Sequence, residues 1–172
     1  MRVPVLHAVV PDRVARAPGF EKTAARMQAA CGADLALHLR LRETSAVRML
    51  ELADALSAGA RATGGWCVLN ERLDVALAAG ADAVQLGAGA LPLAAARSIL
   101  PPDVRLGASV HSEAEARVAM DGGADYLLLG TIYSSASHPE RPPLGSGAIR
   151  SCTGAAPIVA IAQITRDTIS VP

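Results

Sequence analysis

Short apolar runs alternate along the whole chain with alanine-rich stretches of helical periodicity, always in the same order. The apolar runs at 3–10, 35–40, 66–69, 83–86, 105–110, 126–130 and 158–162 read as strands buried on both faces, because they lack the polar alternation of a half-exposed strand. Helices are predicted over 21–30 and 45–58, from about 71, from 92, from 112, and over 148–152. Thr44 or Ser45 can cap the second of these. Pro92 suits a first helical turn, and Ser112 with Glu115 has capping-box spacing. The triplet Gly-Ala-Asp recurs at 32–34, 80–82 and 123–125, each time after a helix and before a strand, and Gly59-Ala60-Arg61 reads as a degraded further copy. Glycine suits the left-handed position that ends a helix. Helix, turn and strand repeated in this way mean parallel strands joined by helical crossovers.

Seven strands and about six helices resemble a (β/α)8 barrel of TIM type that stops after strand seven, in a single domain over 1–172. Such barrels usually take roughly 200 residues or more. An open, doubly wound sheet is the alternative, no strand-order signal separates the two, and the preference for the barrel rests on the family resemblance given below. A barrel without its last unit leaves strands one and seven with unpaired edges, which predicts a homodimer.

Composition narrows the function. Half of the chain is hydrophobic (51%), and 16 basic residues balance 16 acidic ones, which argues against a general nucleic-acid or anionic-membrane surface. Phe20, Trp66, Tyr126 and Tyr133 are the only aromatic residues, too few for base-stacking platforms. Cys31, Cys67 and Cys152 form neither a disulfide framework nor a metal-binding pair of CxxC type, and Cys67 reads as a buried small hydrophobe. The N-terminal stretch is too short for a secretory signal, and no apolar run approaches the roughly 20 residues of a membrane span, so a cytoplasmic protein is expected.

In a parallel barrel the chemistry sits at the C-terminal ends of the strands. That rule selects His38, Arg40 and Arg42 after strand two, Asn70 after strand three, Gln85 in strand four, Ser109 and His111 after strand five, Thr131 after strand six and Gln163 after strand seven. The loop behind strand six adds Ser135, Ser137, His138 and Arg141. Taken singly, each could be a rim charge or a cap. Together these donors and cations suit a small anionic ligand, a phosphate or carboxylate. No HExxH, Walker loop or GxGxxG is present, so zinc-protease, nucleotide-hydrolase and dinucleotide readings lose their usual support.

The same residues carry a resemblance. Leu6-His7-Ala8-Val9-Val10, His38-Leu39-Arg40, the segment NERLDVA from Asn70 to Ala76, AVQLG from Ala83 to Gly87, and the segments 107–112, 122–130 and 135–145 resemble, in order, the thiamine-phosphate synthase and TenI superfamily of barrels. The resemblance implies a small phosphorylated heterocycle as ligand and one of two activities. Synthases of this kind join a pyrimidine diphosphate to a thiazole phosphate with loss of pyrophosphate, using Mg²⁺. TenI-like tautomerases move a double bond in a thiazole carboxylate phosphate without a metal.

Departures from the family pattern point to the second. Where the resemblance places two metal-binding aspartates, this chain has Glu71 and Ala90, and where it places a glutamine, Ala88. The pyrophosphate loop Thr-x-Thr-Lys reads Ser135-Ala136-Ser137-His138, and Arg-x-Lys reads Arg40-Leu41-Arg42. His38, Gln85 and Ser109-Val110-His111-Ser112 look TenI-like. The expectation is therefore a TenI-like thiazole tautomerase with no metal and no cofactor, Mg²⁺ entering only if the synthase alternative holds. The TenI histidine after strand six is Thr131 here, so proton transfer would fall to His138, with His111 or His38 as alternates, and Arg40 would hold the carboxylate. The remaining contacts would come from Arg42, Asn70, Gln85, Ser109, Thr131, Ser135, Ser137 and Gln163. The family's Gly-Gly phosphate turn reads Ala162-Gln163, which lowers phosphate affinity. The alternatives are a thiamine-phosphate synthase and a non-catalytic thiazole- or thiamine-binding relative.

Overall fold

A computed structural model describes residues 2–133, 142–152 and 156–161. Seven parallel strands, β1 (Leu6–Pro11), β2 (Leu35–Arg40), β3 (Trp66–Asn70), β4 (Ala83–Leu86), β5 (Arg105–Val110), β6 (Tyr126–Gly130) and β7 (Ile158–Ile161), pair strictly in sequence order. A doubly wound sheet would reverse its strand order at a switch point. None occurs here, and the strands form a nearly closed barrel of TIM type. Around it lie α1 (Asp12–Ala15), α2 (Phe20–Cys31), α3 (Ala46–Thr63), α4 (Leu73–Ala79), α5 (Leu93–Ile99), α6 (Glu113–Asp121) and α7 (Gly147–Cys152).

Side-chain alternation divides the strands between two cores. Leu35, Leu37 and Leu39 of β2 point outward into the layer shared with α2 to α5. Ala108, Val110, Leu127 and Leu129 meet α6 and α7. Ala36, Trp66, Val68, Ala83, Tyr126 and Leu128 fill the barrel interior. Each fully buried leucine contributes about 1.5–3 kcal/mol by leaving water. Gly107 is an interior position where a Cβ would come within 2.2 Å of Gln85 Oε1 and 2.3 Å of the Tyr126 ring, so the missing side chain makes room for Tyr126.

Two of the three Gly-Ala-Asp triplets are clips at the bottom of the barrel, while the first, Gly32–Asp34, is a short 3-10 turn whose Asp34 meets Arg2. Asp82 donates its N–H to Cys67 O (3.0 Å) and its carboxylate accepts from Cys67 N (2.8 Å). Asp125 repeats the pattern on Leu106, with N–H to O at 2.7 Å and carboxylate to N at 2.8 Å. Arg97 and Arg105 also meet the Asp125 carboxylate. Gly59 does not belong to this series. It lies inside α3, where a Cβ would fall 2.1 Å from Gln28 Oε1, so it is a close-packing glycine between α2 and α3. The helix continues to Thr63 and ends at Gly64 in the left-handed region.

Local signals place most helix starts. Ser45 and Ser112 cap α3 and α6 by accepting from Arg48 N and Glu115 N. Thr44 is bonded elsewhere, to Asp12. Pro92 precedes the first turn of α5 rather than opening it, and α4 begins at Leu73, two residues later than expected. Among the described residues no helix is long and apolar enough to cross a membrane.

Candidate active site

The register carries alternate residues of adjacent strands to common levels inside the barrel. Val68 pairs with His38, Asn70 with Gln85, and Gln85 with Gly107, while Ser109 pairs with Leu128 one level higher. Arg40, His38, Asn70, Gln85 and Ser109 therefore share the upper interior and the mouth. Gln85 donates to Ser109 Oγ at 3.0 Å and to Leu86 O at 3.4 Å, leaving its Oε1 as a buried acceptor without a partner among the described residues.

His38 is fully buried, and its Nε2 lies 2.8 Å from His7 Nδ1. His7 Nε2 is 3.1 Å from Pro4 O. A carbonyl only accepts, so His7 carries its proton on Nε2, and His38 donates to the bare Nδ1 of His7. That leaves His38 Nδ1 as a fixed acceptor. Burial, reinforced by the repulsion that His7 would exert on a second proton in the pair, lowers the His38 pKa to about 3, while the Asn70 side chain opposes the shift without reaching hydrogen-bond geometry. Burial likewise lowers His7. His38 is thus a neutral acceptor sealed in the interior and not an accessible base.

Arg40 is half-buried and Arg42 exposed at the end of β2, and neither guanidinium forms an ion pair or hydrogen bond among the described residues. Most other arginines are engaged, as Arg48 is with Glu21 and Glu51. Beside them Glu71 has φ 65°, the one positive φ among described non-glycine residues. Its N–H donates to Gln85 O at 3.0 Å. Its carboxylate lies over the end of β4, since a Cβ on Gly87 would be 3.1 Å from Glu71 Oε1. A left-handed glutamate costs about 1–3 kcal/mol and persists only where its surroundings enforce it.

His111 is at the rim and is engaged by α6. Glu115 accepts from its backbone N–H at 2.8 Å and sits 3.1 Å from its Nδ1, tying it to the first turn of α6. Thr131 is half-buried after β6, and its carbonyl accepts from Leu144 N at 2.9 Å. Ser135, Ser137, His138, Arg141 and Gln163 lie outside the described residues. A cavity of about 710 Å³ lined by Arg16, Phe20, Lys22, Thr44, Ser45 and Arg48 flanks the mouth between α2 and α3. Its arginines, Arg16 and Arg48, are taken up by Glu43 and Glu21.

Two residues were absent from the list drawn from the strand ends. His7 is an interior residue of β1, and Asp12 directly follows β1. The strand-end rule applied to the first strand would have found Asp12.

Magnesium was tied to the synthase alternative, and the residues present can be tested against it. Glu71 offers one carboxylate, Ala90 packs its methyl against the outer core, and no group of three His, Cys, Asp or Glu side chains among the described residues could hold an ion. Mg²⁺ demands near-octahedral oxygen ligation. These residues do not form a protein-held magnesium site.

Free guanidiniums, buried acceptors and a strained carboxylate at the C-terminal ends of parallel strands define an α/β barrel with a mouth suited to a small anion. The sequence places it further: the profile of the thiamine monophosphate synthase family matches residues 6–171, and the chain belongs to that family. It is 40% identical over 149 residues to the thiamine-phosphate synthase of Methanoculleus marisnigri, covering 85% of this chain and 70% of that protein. It is 44% identical over 118 residues to the bifunctional thiamine biosynthesis protein ThiM/ThiE of Symbiobacterium thermophilum, covering 67% of this chain and only 25% of that much longer protein. Among solved structures, thiamine phosphate pyrophosphorylase of Pyrococcus furiosus superposes with a TM-score of 0.76 at 28% identity, over 95% of this chain and 77% of that one. These relatives bear the synthase name, and the expected tautomerase activity finds no support in them.

Proposed function

We propose that the chain is a transferase of thiamine-phosphate synthase type, in which a thiazole phosphate displaces pyrophosphate from a pyrimidine diphosphate. The observation that carries this reading is the pair of unengaged guanidiniums, Arg40 and Arg42, beside the buried acceptors of β3 and β4. A departing pyrophosphate is densely charged, and arginine forks bind such groups with charge-assisted hydrogen bonds. The neutral acceptors below them, Gln85 Oε1 and Asn70 Oδ1, suit N–H donors on a heterocycle. No step is assigned to a metal. Incubation with both substrates, with and without Mg²⁺, should release pyrophosphate and form thiamine phosphate. Absence of both products under either condition would overturn the proposal.

A second reading has its own observation. Ala90 packs apolar surface where the family resemblance expects a carboxylate, which favours a relative that binds the phosphorylated heterocycle without turnover. Calorimetric binding of thiazole phosphate with no product formed would select it. Self-association through β1, which pairs only with β2 among the described residues, accompanies either reading.

A further inference from the structure

One carboxylate at the mouth belongs to neither reading. Asp12 follows β1, and its Oδ2 accepts from Arg42 N at 2.8 Å. Its Oδ1 accepts from Glu43 N at 3.1 Å and from Thr44 Oγ1 at 2.7 Å. Arg16 lies 3.6 Å from the same carboxylate. Three consecutive residues of the turn between β2 and α3 are thus gathered on one side chain at the start of α1, directly after β1. That turn begins at Arg40 and Arg42, whose guanidiniums have no hydrogen bond or ion pair among the described residues.

We propose that Asp12 is a positioning residue for anion capture, holding the turn after β2 so that Arg40 and Arg42 face the barrel mouth together. The role rests on the proposed binding of a diphosphate there. An arginine fork must be oriented to bind two oxygens at once, and both the turn that carries it and the side chain must be ordered. A backbone already fixed at Arg42 spares the cost of ordering the turn when the ligand arrives. The carboxylate acts through the turn and does not touch the anion.

Charge and position predict opposite signs, which makes the idea testable. By charge alone, removing Asp12 makes the mouth more positive and strengthens anion binding. By position, removing it frees the turn and weakens binding. Calorimetric titration of inorganic pyrophosphate into wild type, Asp12→Ala, Thr44→Val and Thr44→Ser, each checked for native circular dichroism, separates the two. Asp12→Ala is expected to raise Kd by about tenfold, the value of one well-placed hydrogen bond to a charged group. Thr44→Val should raise it less, and Thr44→Ser should restore it. An unchanged or lower Kd in Asp12→Ala overturns the proposal. Should Asp12→Ala fail to fold, Thr44→Val decides, and an unchanged Kd there overturns it equally. Wild type that does not bind pyrophosphate defeats the diphosphate reading itself, and the positioning role falls with it.

Discussion

His7 Nδ1 and His38 Nε2 meet at 2.8 Å inside the barrel, and both rings are held neutral there by burial. A buried neutral histidine binds its proton less readily than the unfolded chain does. Stability is therefore fully present above the ordinary histidine pKa of 6.5 and is lost as pH falls toward about 3. His38 contributes a slope of about 1.4 kcal/mol per pH unit within that window, and His7 adds to it. Urea unfolding at pH 7, 6 and 5 should show a steep decline that flattens in His38→Gln. Equal stability at all three pH values would refute the neutral pair.

Glu71 should trade stability for function. With φ at 65° it occupies a conformation glycine adopts at little cost. Glu71→Gly is expected to raise the unfolding free energy by about 1 kcal/mol while lowering turnover. A variant that loses stability, or keeps full activity, would show that the carboxylate has no role at the mouth.

Arg40 and Arg42 are predicted to carry anion affinity. Arg40→Ala should weaken pyrophosphate or thiazole phosphate by about tenfold or more, with Arg40→Lys intermediate, because a point charge replaces a fork. Affinity in the wild type should fall with added salt, and less steeply in Arg40→Ala. Titrations at two ionic strengths test both statements.

Gly107→Ala should destabilise the barrel and displace the Gln85 side chain at the site. Its Cβ would lie 2.2 Å from Gln85 Oε1 and 2.3 Å from the Tyr126 ring, two groups held inside the barrel. Overpacking of this kind costs about 1–3 kcal/mol, readable as a lower urea midpoint.

Self-association is predicted through β1. Val5, Leu6 and Val9 are 70%, 46% and 37% exposed on or beside that strand, which pairs only with β2 among the described residues. Sedimentation should show a dimer that Val9→Lys shifts toward monomer, since a charge on an edge opposes strand addition. A monodisperse wild-type monomer would refute it.

Much of the barrel was legible because its signals are local. The bounds of β2, β4, β5 and β6 follow from apolar runs cut off by Gly, Ser, Asp or Arg, and Ser112 marks its helix by itself. Gly59 misled because a helix-ending glycine and a helix-packing glycine look alike until Gln28 is brought against it. The site was legible as a set of strand ends but not as a set of roles. His38 and His111 both looked like proton carriers, yet one is sealed against His7 and the other is tied to Glu115. The role of Asp12 was not legible because its side-chain hydrogen bonds reach residues 30 to 32 positions away, and no spacing rule reaches that far.

The aspartate clips on Cys67 and Leu106 sit at the opposite end of the strands from every group discussed as chemistry. The barrel is anchored from its floor, so its rim is free to vary. Substituting Asp82 or Asp125 should shorten the lifetime of the folded protein without changing what it selects. Rewriting residues such as Ala90 or Thr131 should change what it selects at little cost in lifetime. A foundation and a façade built from separate residues can diverge at separate rates.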